Sequence, residues 1–390
     1  MKRLLVYTEN YARGGGNRYL IDFTNSASSF EGTLTIASNP GGIYQEDIAR
    51  LKRPAHCIEL PVTTRGWLYN VIHTRWLRRL ALPVYLLVFP VLALRNIWLL
   101  DSLLRSVKPD LVICCNGGYP GGSSVLLMTW LAGRRKLPCV LSIVSTPRQG
   151  ASNWLSRFID RSIWQSVDCV TVNAVAVRDA LVHERGLPIA KACVLYNCLE
   201  DRAPLPRKDG PPVFIGCISR MDFSKGVREL LDAFSRLATR DPDIRLILAG
   251  QGDASDWLAG EVSARGLTAR VQLLGHWSGP VDELLSKMNI FVLPSWQEGF
   301  PYCLLEAMRA EIPIVATDVG GIPEAVEDGI SAIIVPPKNS DRLVIAIEHL
   351  VKNVSFRHLL AGNARKRFLE RFSDGRLDES VGKLFTRHDW

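Results

Sequence analysis

Four charged residues carry the chemistry that this sequence suggests. Arg220 and Lys225 stand just after the apolar run Val213–Ser219, followed by Gly226 and a helical pattern from Val227. An arginine fork and a lysine point charge beside a helix N-terminus suit a diphosphate. Glu298 and Glu306, with seven residues between them, lie in the stretch SWQEGFPYCLLEAMRAEIPIVATDVGGIPE, Ser295 to Glu324. A lone helical glutamate is most often only a solvated side chain, so the elements around the pair must decide. NIFVLP (289–294) is a short β-rich run and therefore a strand. Pro301 sits where a helix can begin, because its missing N–H would be unpaired there anyway. Tyr302 to Ala310 continues in good helix formers, and Pro313 opens the next strand, IPIVAT. The stretch is thus one βαβ step. Its loop, Glu298-Gly299-Phe300, falls at the carboxyl end of a strand against a helix N-terminus, where ligands bind in open α/β sheets and free backbone N–H groups suit an anion.

The stretch resembles the signature of the retaining glycosyltransferases of family 4. That signature runs Glu, seven residues, Glu, then EAM and a strand followed by GGIPE. Glu298 and Glu306 match the spacing, and Glu306-Ala307-Met308 and Gly320-Gly321-Ile322-Pro323-Glu324 match letter by letter. Glu311 departs from it, standing where the family commonly has glycine. The resemblance implies the GT-B fold, an α/β architecture of two Rossmann-like parallel-sheet domains facing each other across a cleft. It also implies that Arg220 and Lys225 neutralise a leaving diphosphate, aided by main-chain N–H groups of the donor-binding stretch Gly299, Phe300, Pro301, Tyr302 and Cys303, in which Pro301 itself offers none. Glu306 would then bind the ribose hydroxyls and Glu298 would face the transferred sugar. No metal or other cofactor is implied; the donor is a UDP- or GDP-sugar. Asp241-Pro242-Asp243 spells a DxD metal motif but falls in a turn between helix and strand, away from strand carboxyl ends.

The remaining donor-side candidates are glycines and one histidine. Gly250-Gln251-Gly252 ends the strand IRLILAG in a tight turn where backbone can approach a ligand. His276 follows VQLLG, whose following loop holds the nucleotide base in the family; a lone histidine is otherwise more often structural. In the N-terminal half, KRLLVYT (Lys2–Thr8) precedes Gly14-Gly15-Gly16 and a helical pattern, an arrangement that is either a phosphate cradle or a plain turn. Family 4 enzymes often have a Gly-Gly pair here, which assigns Gly15 and Gly16 to the donor phosphates. The GxGxxG fingerprint is absent, which disfavours hydride transfer. The family commonly has a histidine after the strand Pro138–Ser145, and this chain has Ser145-Thr146-Pro147-Arg148 instead. Ser145, Thr146 and Arg148 are therefore the acceptor-side candidates, with Arg148 either a phosphate ligand or a surface residue.

Strand-like runs at 33–38, 110–116, 138–145, 168–173 and 192–197 alternate with helical stretches, the pattern of a parallel sheet. A second βα series starts at Val213, after the Pro-rich, aperiodic linker 201–212. With 390 residues, two domains are the natural division: 1–205 for the acceptor, 206–372 for the nucleotide-sugar, and 373–390 returning onto the first. The nine scattered cysteines, without a CxxC pair, fit a reducing cytosol, and the N-terminus turns polar too soon for a signal peptide.

The charge is uneven. Residues 1–205 hold 24 Lys/Arg against 14 Asp/Glu, leaving 23 against 25 beyond them. A basic N-terminal half points to an anionic partner, and without a nucleic-acid module that is a phosphorylated acceptor or an acidic membrane surface. Within the segment 67–104, Leu80 to Leu94 is 15 residues without a charge, flanked by Arg75, Arg78, Arg79 and Arg95. It is short for a span and carries Pro83 and Pro90. It is either a buried helix or a patch lying in a membrane interface, with Trp67, Trp76 and Trp98 at headgroup level.

Together these expectations describe a hexosyltransferase of polysaccharide biosynthesis. It would be cytoplasmic and peripheral on the inner face of the plasma membrane, acting on a glycan or polyprenyl-diphosphate-linked acceptor. The alternatives are a non-catalytic sugar-nucleotide-binding protein and a sugar-nucleotide 2-epimerase on the same fold.

Overall fold

The computed structural model describes residues 2–11, 14–27, 30, 32–42, 45–72, 75–147, 154–373, 375–388 and 390. Its chain forms two compact units, Met1–Tyr196 with Leu377–Trp390, and Asn197–Arg376. The first contains strands β1 (Lys2–Thr8), β2 (Gly32–Ser38), β3 (His56–Glu59), β4 (Leu111–Asn116), β5 (Cys139–Ile143), β6 (Cys169–Val172) and β7 (Ala192–Val194), in the spatial order 3-2-1-4-5-6-7. The second contains β8 (Val213–Ile218), β9 (Ile244–Ala249), β10 (Val271–Gly275), β11 (Ile290–Leu293), β12 (Ile314–Thr317) and β13 (Ile333–Val335), in the order 10-9-8-11-12-13. Every pairing is parallel. Helices cover such sheets on both faces, which is why the central strands are unbroken apolar runs: LVICCN of β4 is buried throughout. The α/β class and the two Rossmann-like sheets are those expected from the sequence.

Three local features differ from expectation. β3, HCIE, carries no apolar run, because it is an edge strand exposed along most of its length. β5 and β7 end short of the runs that suggested them; the residues beyond become loop at the carboxyl edge. Pro83 and Pro90 do not break the chain but lie inside one 33-residue helix, Arg75–Val107. Its C-terminal part is core, with Leu100, Leu103 and Leu104 buried. Asn96 there exchanges bonds with the backbone of Thr63, as donor at 2.8 Å and acceptor at 3.0 Å. The window Leu87–Val107 is long and apolar enough to cross a bilayer by composition, but this packing commits its second half to the fold.

The departure at Glu311 has a visible consequence. The helix Tyr302–Arg309 ends in a Schellman arrangement, with Glu311 N–H donating to Met308 O and Ile312 N–H to Ala307 O, both at 3.1 Å. That places Glu311 at φ +54°, the left-handed region that side chains occupy at a cost. Replacing it should help. We expect Glu311→Gly to raise the stability of the protein by about 1 kcal/mol, read as a higher denaturation midpoint in urea.

Candidate active site

Both sheets reverse their winding direction beside their first strand, between β1 and β4 and between β8 and β11. The loops after those strands diverge, and the crevice this leaves at the carboxyl edge is the default ligand position of open α/β sheets.

In the second unit the two loops carry opposite charges into that crevice. After β8 the chain makes a single 3-10 turn, Phe223–Lys225, before the helix Val227–Ala238. Gly226 joins them at φ +67°, and a Cβ there would overlap the carbonyl oxygen of Pro294. Only glycine lets the turn rest on the end of β11. Trp296 N–H donates to Ser224 O at 2.8 Å, tying the loops together. The result sets Lys225 Nζ 2.7 Å from Glu298 Oε1, with both side chains largely buried. Ser295 Oγ donates to the same carboxylate oxygen at 2.7 Å. Ser295 is itself buried, and its carbonyl accepts from Thr317 Oγ1 at 2.6 Å. Glu298 is thus held by a cation and a hydroxyl on a frame that reaches β12.

The neighbouring residues are arranged along the same edge. Gly320, at φ +54°, packs so closely on the Glu298 backbone that a Cβ would overlap its carbonyl oxygen, and Gly321 N–H donates to Gly299 O at 2.7 Å. The GGIPE motif therefore buttresses the Glu298 loop from β12. Phe300 is buried with its ring 5.2 Å from that of Phe372, and its carbonyl accepts from Asn197 Nδ2 at 2.5 Å. Glu306 is buried on the helix Tyr302–Arg309. Pro301 has no N–H, so the backbone donors at this helix start come from its neighbours. Burial pushes the Cys303 thiol well above its ordinary range, and the nearby Glu298 and Glu306 carboxylates add to the effect. Burial likewise raises Cys217 to about 11. Neither thiol is a nucleophile at neutral pH.

Arg220 lies at the end of β8, mostly exposed, 3.1 Å from Asp222. Asp222 also accepts from Asp253 N–H at 3.2 Å, linking the loops after β8 and β9. Gly250, at φ +137°, and Gly252 leave no room for a Cβ beside Ser219 and Asp222. Gly250 N–H donates to Gly275 O at 2.7 Å, which brings the loop carrying the exposed His276 into the same row. The sequence reading missed Ser295 and Asp222. A hydroxyl three residues before Glu298 and an acid three before Lys225 were the available signals. Asp241-Pro242-Asp243 falls before β9, at the opposite edge of the sheet.

In the first unit the same logic assembles glycines. Gly15 and Gly16 open the helix Gly15–Ser26, whose N-cap Gly14 supplies no side-chain bond. A Cβ on Gly16 would lie 3.8 Å from Val144 and 4.0 Å from Gly117, and one on Gly118 3.8 Å from Ser145 Oγ. The loops after β1, β4 and β5 thus meet. Ser145 and Thr146 are half-buried beside them; Arg148 lies outside the described residues. Glu9, which the sequence reading also missed, ties this edge together. It accepts from Ser124 N–H at 2.8 Å, Ser124 Oγ at 2.7 Å and Thr64 Oγ1 at 2.6 Å.

Comparison with known proteins identifies the family. The family described as glycosyl transferases group 1 matches residues 199–367, and the glycosyl transferase 4-like domain matches residues 44–198. The alpha-D-kanosaminyltransferase of Streptomyces kanamyceticus is 34% identical over 294 residues, covering 69% of this chain and 75% of that enzyme. The chain belongs to the group 1 glycosyltransferases. A second relative of this glycosyltransferase is the capsular polysaccharide biosynthesis glycosyltransferase CapM of Staphylococcus aureus, 29% identical over 180 residues, 44% of this chain and 45% of the other. The chain spans from about half to three quarters of the length of such curated relatives. The crystal structure of Anabaena Alr3699/HepE in complex with UDP superposes on 99% of this chain and 100% of that one, with a TM-score of 0.76 at 18% identity. That likeness is one of fold.

Proposed function

We propose that this glycosyltransferase moves a hexose, with retained anomeric configuration and without a metal ion, from a UDP-sugar to a polyprenyl-diphosphate-linked glycan. The observation that carries the reading is the Lys225–Glu298 pair at the switch point of the second sheet, 2.7 Å apart beside a helix start. A buried carboxylate with a lysine and a serine on one oxygen is an aimed group, not a solvated one. Lys225 and Arg220 neutralise the departing diphosphate together with backbone N–H groups near Tyr302, an electrostatic role that needs no divalent cation. Glu306 accepts from the ribose hydroxyls, and the free oxygen of Glu298 faces the reacting sugar. A fold neighbour solved with UDP and a relative named for capsular polysaccharide biosynthesis support a UDP donor and polysaccharide assembly. The basic first unit, with its exposed apolar residues Leu80, Leu87, Val91 and Leu94, supports a peripheral site on the cytoplasmic face of the membrane.

A thermal-shift panel of UDP, GDP, ADP and their sugars, with and without EDTA, tests this. UDP at 100 times its dissociation constant should stabilise by about 2.7 kcal/mol, and EDTA should leave the shift unchanged. A shift only with GDP or ADP replaces the donor. Loss of the shift in EDTA overturns metal independence. Consumption of UDP-sugar without any acceptor, giving an epimeric product, overturns transfer.

A further inference from the structure

The long helix Arg75–Val107 is not the only apolar surface on the first unit. On the helix Trp154–Ser166, Trp154 is 80% exposed and Phe158 64%, with Leu155 and Ile159 exposed beside them. Spacings of one, four and five put these four on one helix face. The opposite side is already used: Ile163 and Trp164 are buried in the unit's core. A helix needs one apolar face to pack, so the second is unexplained by the fold.

Topology puts the two surfaces on one side. The chain passes from β3 across to β4 and then on to β5 and β6. Right-handed crossovers therefore lay the helices Arg75–Val107, Ser123–Arg134 and Trp154–Ser166 on the same sheet face, and the middle helix packs against both of its neighbours. Both outer helices start at the carboxyl edge, where the sheet's ligands bind. On the long helix, Leu80, Leu87, Val91, Leu94 and Trp98 recur at intervals of seven, four, three and four, forming a stripe about 27 Å long. Arginines dominate the charges on these faces, although the exposed Glu184 stands beside Arg157 and Arg161. Arg79, Arg95, Arg157 and Arg161 are exposed. No acid occurs from 75 to 100, and the single acid of the second helix, Asp160, is buried against Arg185 at 2.9 Å and Tyr119 at 2.7 Å.

We infer that these two helices form a two-point platform for an anionic lipid bilayer, with the helix Trp154–Ser166 as its second contact. This rests on the membrane reading above and extends it to residues outside 67–104. Two arginine-flanked apolar faces, separated by a helix and turned to one side, fit a plane better than they fit a single partner helix, which would cover only the long stripe. Aromatic and aliphatic side chains enter the headgroup boundary while the arginines meet lipid phosphates. The platform would hold the carboxyl edge of the first sheet near the bilayer surface, where a polyprenyl-linked acceptor presents its diphosphate.

Co-sedimentation with vesicles of phosphatidylcholine containing 30 mol% phosphatidylglycerol, compared with phosphatidylcholine alone, tests the platform. The full chain should bind the anionic vesicles, and both Trp154→Ser/Phe158→Ser and Leu87→Ser/Val91→Ser should lower partitioning at least tenfold with an unchanged unfolding midpoint. If the first double variant lowers that midpoint, the single Phe158→Ser replaces it, with at least a threefold fall expected. Normal partitioning of the Trp154/Phe158 variant beside loss in the Leu87/Val91 variant would overturn the second contact and leave the membrane reading standing. No binding of the unmutated chain to either vesicle would remove both. A dimer in light scattering that these same substitutions dissociate would make a second copy of the chain the occupant instead.

Discussion

Lys225→Ala should lower turnover by roughly two orders of magnitude or more, the usual cost of losing a main contact to developing charge. The side chain is largely buried, 2.7 Å from Glu298, so its ammonium is already stripped of most of its water and held in place by the Gly226 turn. A charge positioned in advance does not reorganise when the diphosphate leaves, and its effect is not diluted by solvent as it is for the exposed Arg220. Removing it also leaves the Glu298 carboxylate with Ser295 as its hydrogen-bond donor, which should cost on the order of 1–3 kcal/mol of stability. The two effects separate experimentally. Turnover is measured on variant whose folding is verified by its unfolding transition, and UDP affinity is measured alongside. Lys225→Ala should weaken UDP as well as slow transfer, whereas Arg220→Ala should give a smaller loss of both. A folded Lys225→Ala enzyme with near-normal turnover would remove the lysine from the mechanism.

The parts of this site that were legible in the sequence are those that a local rule writes into a short stretch. Strand, loop and helix around Glu298 follow from an apolar run, Pro301 and good helix formers, and the βα order that puts the loops at a carboxyl edge follows from alternation. What was not legible is tertiary. Nothing local to Glu9 says that Ser124, 115 residues away, will use its carboxylate. Nothing in SWQEGF says that Ser295 turns its hydroxyl toward Glu298 and its carbonyl toward Thr317. The long helix shows the opposite case. Its two prolines argue against a straight helix, but each removes a single backbone donor, and both lie inside one continuous helix. Glu311 is legible only by departure from a pattern; the strain it carries at φ +54° is the reason a glycine suits that position.

Glu298→Ala should be as damaging to turnover as Lys225→Ala, roughly a hundredfold or more, but with the opposite signature in binding. The carboxylate accepts from Lys225 and Ser295 through Oε1, and its second oxygen is the one available to a sugar in which positive charge develops. Removing the carboxylate frees Lys225 for the diphosphate, so UDP alone should bind at least as tightly as before while transfer collapses. Glu298→Gln refines the assignment. It keeps the side chain's length and an oxygen for the Ser295 hydroxyl, but it leaves no negative charge either for Lys225 or for the reacting sugar. If Glu298 serves only to orient Lys225, glutamine should restore much of the lost rate. If the charge itself acts on the sugar, glutamine should be nearly as slow as alanine. The pair also predicts strong coupling: because Lys225 and Glu298 share one bond, the double variant Lys225→Ala/Glu298→Ala should be far less impaired than the product of the single losses. Independent, multiplicative losses would leave Lys225 on the diphosphate and Glu298 on the sugar but would make their 2.7 Å contact incidental to catalysis.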